Sequence, residues 1–301
     1  MRPTWLFACV LAAAVPAQNA DSKPADANAA KASPLERLRG AEEAARPKAL
    51  AAFVDAQLAT GAIFAGQYAA LAELGWDPVP MLRMWLTEAP KDVAATPVMF
   101  REACIHALRD VVTEPSEALI EQLEKLAGDF LSPERLTSRA KYALYQFGKT
   151  EHVDKMLAAA KQQTEGAEVN TRLRGWTQLA DIHYNVRDYA AAAAAHAKVI
   201  EIVEGLDPTW AGLPSSYYNC ACSYALSGNK DEAMKRLARA LELGKELDSP
   251  LEVSLLQSDM DIRSLRGEPA FAKLMKDYFG VEVGAAKQAA EEGTGGGKDG
   301  I

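Results

Sequence analysis

Apolar residues recur along this chain at helical intervals. Leu50, Val54 and Leu58 fall on one face of a helix, and so do Leu119, Leu123 and Leu126, because residues three or four apart are neighbours on a 3.6-residue turn. No β-branched run alternates with period two and alanine is abundant, so propensity and pattern agree on helix. Helix starts are marked by a capping residue before proline: Ser33-Pro34 with Glu36 completing a capping box, Thr96-Pro97, Ser132-Pro133, and Ser249-Pro250 with Glu252. The pattern predicts an all-α chain of about 14 helices and no sheet.

The pattern also repeats. Trp176, Leu179, Ala180 and His183, followed by Tyr189, Ala192, His196 and Val199, return 41 residues later. The second copy reads Tyr217, Cys220, Ala221 and Tyr224, followed by Lys230, Ala233, Leu237 and Ala240. Small residues keep the same places in both copies (Ala180/Ala221, Ala192/Ala233, Val199/Ala240), which marks where two helices cross closely. A looser pair lies upstream, where Arg101 to Leu108 and Thr137 to Leu144 align at a spacing of 36. Each is followed by a second apolar helix, Ala118 to Ala127 and Val153 to Ala160. Residues 34–94 read as helical without an alignable repeat. Self-similarity at a fixed period is the mark of stacked helical hairpins, which present a binding surface rather than a buried active site.

Residues 174–245 resemble tetratricopeptide repeats. Trp176, Leu179, Ala180, Tyr189 and Ala192 carry the resemblance in the first copy; Tyr217, Ala221, Tyr224, Gly228, Ala233, Leu237 and Ala240 carry it in the second. Arg187 replaces the usual turn glycine, and His183 and His196 replace aromatics. The period exceeds the family's usual length of about 34, and the stretch from Asp207 to Pro214 is expected to absorb the excess as a longer loop. Asp259 to Phe271 resembles the closing segment that covers the last apolar face of such arrays. Residues 95–165 resemble HEAT-type hairpins.

The tetratricopeptide resemblance implies a right-handed superhelical solenoid of antiparallel helix hairpins. Its first helices would line a concave groove that holds a peptide or partner protein. The groove residues it implies are Arg174, Thr177, Asp181, Tyr184 and Asn185 from the first copy, and Tyr218 and Asn219 from the second. Thr177 and Asp181 stand where members that grip a terminal carboxylate carry Lys and Asn, so a carboxylate clamp does not follow.

The first 17 residues read as a secretory signal: Arg2, then an uncharged stretch from Trp5 to Val15, then small residues before a cut between Ala17 and Gln18. Leu6-Phe-Ala-Cys9 resembles a lipoprotein box, but Phe7 is bulky and too little apolar chain precedes Cys9, so cleavage is expected rather than lipidation. Nothing downstream offers about 20 consecutive apolar residues, so no transmembrane segment is expected in the mature chain. Residues 18–32 and 284–301 contain almost no large apolar side chains and read as a disordered linker and tail. Between them the expected division is a helical, partly HEAT-like region at 33–165 and a repeat region with its closing helices at 166–283.

The formal charge is −8, which becomes one unit more negative when Arg2 leaves. An acidic chain without a Lys/Arg-dense run lacks the footprint of a nucleic-acid binder. Beyond Cys9 only Cys104, Cys220 and Cys222 remain. Cys220 and Cys222 lie two apart on a helix and point in different directions, so buried free thiols are expected rather than a bridge.

Chemistry is sparse. With four histidines in the chain, catalytic sets can be checked almost exhaustively. His183 and His196 lie on paired helices but lack two further ligands at metal spacing. His106 stands two residues from Cys104, which separates their faces, and His152 starts a helix at the surface. No phosphate loop, nucleophile elbow or zinc-protease motif is present. The expectation is therefore no catalytic residues, no metal and no cofactor, in an exported protein-binding scaffold, periplasmic or extracellular, with a place in the cell envelope. An enzyme or small-ligand binder using a pocket between the two helical halves, near Trp76, Trp85 and His106, is the alternative reading. A purely structural spacer in an envelope assembly is a third.

Overall fold

The computed structural model describes residues 33–59 and 66–281. The signal, the Ala17/Gln18 cut, the linker and the tail from 284 lie outside these. Among the described residues there are thirteen α-helices, three short 3₁₀ segments and no strand. None of the helices is long and apolar enough to cross a membrane. The chain falls into two compact units divided between Ala143 and Leu144.

The first unit holds α1 (Pro34–Arg39), α2 (Arg46–Leu58), α3 (Val79–Trp85), α4 (Pro97–Val111), α5 (Glu117–Ala127) and most of α6 (Glu134–Gln146). The Ser33 capping box forms as the sequence predicts, with Ser33 Oγ accepting from Glu36 N and Glu36 reaching back to Ser33 N. Thr96 caps α4 by a single bond, accepting from Met99 N. Leu50, Val54 and Leu58 turn inward from α2, and Leu119, Leu123 and Leu126 from α5. Residues 66–96 are less helical than the pattern suggests. Beyond a 3₁₀ segment at Ala69–Glu73, their α-helix is confined to the seven residues of α3, which follows Gly75 at φ 71°, starts at the Pro78 N-cap and ends before Pro90, since proline is excluded from a helix interior.

A charged contact joins α4 to α6 inside this unit. The Glu102 side chain is fully buried, and Arg139 Nε donates to its Oε1 at 2.7 Å. Arg135 Nε lies 2.7 Å from Oε2. A buried carboxylate is tolerable only when paired in this way.

The second unit continues with α7 (Glu151–Thr164), α8 (Val169–Asn185), α9 (Tyr189–Leu206), α10 (Leu213–Leu226) and α11 (Lys230–Glu246). These are followed by α12 (Val253–Ser258), a 3₁₀ turn at Met260–Leu265 and α13 (Pro269–Phe279). Ala180, Ala192, Ala221, Ala233 and Ala240 are completely buried, as close crossing requires.

The turns inside both repeat hairpins are built alike. Arg187 has φ 67° and Gly228 φ 84°. The next residue's N–H closes back on the first helix, Asp188 N to His183 O and Asn229 N to Tyr224 O, both at 2.9 Å. That residue then caps the second helix: Asp188 accepts from Ala191 N and Asn229 from Glu232 N, both at 3.2 Å. The turn after α6 repeats the closure, with Gly148 at φ 82° and Lys149 N bonded to Leu144 O at 2.9 Å.

Two expectations need correction. The loop between the repeats spans only 207–212, because α9 runs on to Leu206 while Leu213 and Pro214 already begin α10. An extended helix therefore shares the extra length with the loop. Ser249-Pro250 does not start a helix either, since α12 begins at Val253 with Glu252 at its N-cap. Ser249 is committed to closing α11: Asp248 has φ 51°, Ser249 N bonds Gly244 O at 2.9 Å, and Ser249 Oγ donates to Ala211 O at 3.0 Å.

Candidate partner-binding site

The residues implied for the groove divide into two sets. Arg174 and Asp181 on α8 and Asn219 on α10 are exposed. Thr177 and Asn185 are half-buried and tied to their own helix, Thr177 Oγ1 donating to Leu173 O at 2.9 Å and Asn185 Nδ2 to Asp181 O at 2.7 Å. Tyr184 and Tyr218 are not on an open face. Tyr218 is 5% exposed, and its hydroxyl donates to Asp259 Oδ2 at 2.7 Å. Tyr184 donates to Asp261 Oδ2, with its ring edge-on to Tyr189 at 5.7 Å. The closing segment supplies both acceptors, so it draws the two tyrosines inward, and this corrects their expected placement.

Those two carboxylates are the feature that sequence reasoning missed. Asp259 and Asp261 start the 3₁₀ turn, where Asp259 Oδ1 accepts from Asp261 N at 2.9 Å. Arg266 donates to the main-chain carbonyls of Leu256 and Asp259. Cys222 Sγ stands 4.0 Å from Asp259 Oδ2. Burial pushes the Asp261 carboxyl up to about 6, reinforced by the negative charge of Asp259 and opposed by the hydrogen bond from Tyr184. Burial likewise raises the Tyr184 and Tyr218 hydroxyls and the Cys222 thiol, so all three keep their protons. The available signal was the Asp-x-Asp spacing alone, because Tyr184 and Tyr218 fall at different places in the two copies, aligned with Ala225 and Thr177.

One thiol, Cys222 Sγ, and one oxygen each from Asp259 and Asp261 lie within 4.8 Å of one another. Two tyrosine hydroxyls and a main-chain N–H already occupy these carboxylates, and burial keeps the thiol protonated. The hydroxyls, the main-chain N–H and the thiol join the two carboxylates into one hydrogen-bonded cluster. Among the described residues neither His183 nor His196 belongs to a group close enough to hold a metal ion. His183 Nδ1 lies 3.4 Å from Asp188 Oδ2, and burial lowers the His196 pKa to about 4.

The other thiols are buried as expected. Burial raises Cys104, and it pushes Cys220 up to about 11, so neither is an activated nucleophile. In the first unit, Trp85 is packed edge-on against Phe100 at 5.5 Å. The Arg46 guanidinium covers Trp76 at 5.3 Å. These tryptophans are occupied by neighbours within their own unit.

Residues 171–246 match the family model of the tetratricopeptide repeat. The segment is a tetratricopeptide repeat region. The match takes in α8 through α11, both hairpins whose turns and alanine crossings are described above. Repeats of this family mediate contacts between proteins, and the family is typically non-enzymatic. No curated protein and no solved structure matches the chain.

Proposed function

We propose that the tetratricopeptide region binds a segment of a partner protein along the exposed face of α8 and α10, as a scaffold or adaptor of the cell envelope. The observation that carries this reading is the row of exposed polar residues on the first helices, Arg174 and Asp181 on α8 and Asn219 on α10, within the matched repeats. Arg174 and Asp181 are seven residues apart, two turns of one helix, and so offer opposite charges on a single stripe. An extended polar segment with its own alternating charge is the guest such a stripe fits. The envelope location is supported by the charged start, apolar stretch and small residues of positions 1–17.

Affinity capture from the native extract tests the binding role, comparing the natural chain with an Arg174→Glu, Asp181→Lys, Asn219→Ala variant. The side chains exchanged are exposed, so the two should unfold at the same temperature. A polypeptide retained by the first and lost by the second supports the groove. Equal retention, or none by either, sinks it. Fractionation of cells with N-terminal sequencing of the purified protein checks the location; a chain beginning at Gln18 outside the cytoplasm is expected.

A further inference from the structure

We propose that the turn from Asp259 to Asp261 is a proton-operated latch, clamping the closing segment onto α8 and α10 while Asp261 is protonated and loosening when it is not. The inference goes beyond partner binding and does not depend on it. Its basis is an imbalance of charge. Asp259 and Asp261 are 9% and 8% exposed, and an oxygen of each lies within 4.8 Å of the other. Among the described residues neither makes an ion pair with Lys, Arg or His. Each donor that reaches them is neutral: the hydroxyls of Tyr184 and Tyr218, the thiol of Cys222 and the N–H of Asp261. Arg266 brings positive charge to the Asp259 side of the pair through its bond to the Asp259 carbonyl, and two buried carboxylates that share that one neighbouring charge and make no ion pair cannot both ionise cheaply.

The donors decide where the proton sits. Asp259 collects a hydroxyl, a main-chain N–H and the thiol, while Asp261 receives one hydroxyl, so the negative charge belongs on Asp259 and the proton on Asp261. The rise of Asp261 to about 6 agrees with this placement. The titratable and charged groups around the turn can be named element by element. From α8 comes Tyr184, backed by Tyr189 of α9, and from α10 come Tyr218 and Cys222. From α11 comes Lys230, paired with Glu268 at 2.6 Å. Within the segment, Arg266 donates to the carbonyl oxygens of Leu256 and Asp259 and its charge favours ionised Asp259, while Arg263 is exposed. A cavity of about 590 Å³, walled by Ala225, Lys230, Arg263 and Ser264 among others, opens onto Asp261 and gives the proton a path to water.

The sign follows from the raised value. An aspartate that titrates higher in the folded protein than in the unfolded chain, at about 6 against the usual 3.8, favours folding most when both states are protonated. The latch is firm below pH 4, weakens as pH rises through 6, and is constant above that. Both tyrosines hold the same turn, so its release frees α8 and α10 together.

Amide hydrogen exchange of segment 259–265 in the full chain tests the proposal, with rates corrected for intrinsic pH dependence between pH 4.5 and 7.5. The opening equilibrium of the natural protein should rise by on the order of 10- to 100-fold over that range. Asp261→Asn, which imitates the protonated acid, should stay flat. Tyr184→Phe, which removes a donor to the carboxylate, should move the midpoint to higher pH. Parallel profiles for the natural chain and Asp261→Asn would overturn the latch, as would a midpoint unmoved by Tyr184→Phe. So would a change in opening on adding EDTA at fixed pH, since the carboxylates would then be answering a cation.

Discussion

Gly175 of α8 and Thr164 of α7 approach so closely that a Cβ built on the glycine would stand 2.6 Å from the Thr164 main-chain nitrogen. It would also stand 2.8 Å from Ala160 O. A glycine inside a helix ordinarily costs about 1 kcal/mol against alanine; here it lets the two backbones meet. Gly175→Ala should therefore destabilise the protein, by about 1–2 kcal/mol after the gain in helix propensity is set against the overpacking. Gly205 in α9 is the control, being exposed with nothing within 4 Å of its Cβ position. Gly205→Ala should stabilise by up to about 1 kcal/mol. Denaturant melts of the full chain would show opposite shifts in midpoint, and shifts of the same sign would contradict the close crossing.

Gly228 tests conformation in place of space. It has φ 84° and nothing within 4 Å of its Cβ position, so only the left-handed backbone penalises a side chain. Gly228→Ala should cost about 1 kcal/mol. Gly228→Asn should cost less, since asparagine tolerates that region. Equal losses in thermal melts would mean that crowding, not the dihedral angle, sets the price.

The Glu102 contact predicts an asymmetric response. Arg139→Met should destabilise by about 3 kcal/mol, because it leaves a fully buried carboxylate with only the more exposed Arg135. Converting both sides, Glu102→Leu with Arg139→Met, should recover much of that loss. Equilibrium unfolding of the single and double variants measures the coupling, and additive losses would show that the pair does not act as a unit.

The hairpins were legible because their constraints recur. Ala180 and Ala221 occupy equivalent crossings, and a position repeated in sequence announces its role twice. Much of the candidate site was not legible, because Tyr184 and Asp261 are 77 residues apart and belong to different kinds of element. A tyrosine on a first helix can face an open groove or a closing segment, and periodicity does not choose between them. Arg174, Asp181 and Asn219, placed on the same first helices by the same resemblance, lie exposed. The turn after α6 shares its closure with the two repeat hairpins, yet its kinship is hidden because Arg187 stands where Gly148 and Gly228 have glycine. Ser249 looked like a helix start only because capping and helix closure draw on the same residue types.

His196 predicts a pH dependence opposite in sign to that of the latch. It is held in α9 where burial lowers its pKa to about 4 from 6.5, so the folded protein favours neutral imidazole while the unfolded chain accepts a proton. Its contribution is fully present above pH 6.5 and is lost as pH falls through 4. At about 1.4 kcal/mol per pH unit the loss amounts to about 3 kcal/mol. Between pH 4 and 6 this partly cancels the gain from Asp261, so the natural protein should show a shallow stability profile concealing two steep ones. His196→Phe, which restores the aromatic common at this place in the repeat, should remove the acid-side loss and leave stability rising as pH falls from 6 to 4. His196→Phe with Asp261→Asn should be flatter than either single variant. Urea midpoints at intervals from pH 4 to 7.5 decide the matter, and a His196→Phe profile parallel to the natural one would show that the imidazole takes up its proton in the folded protein without penalty.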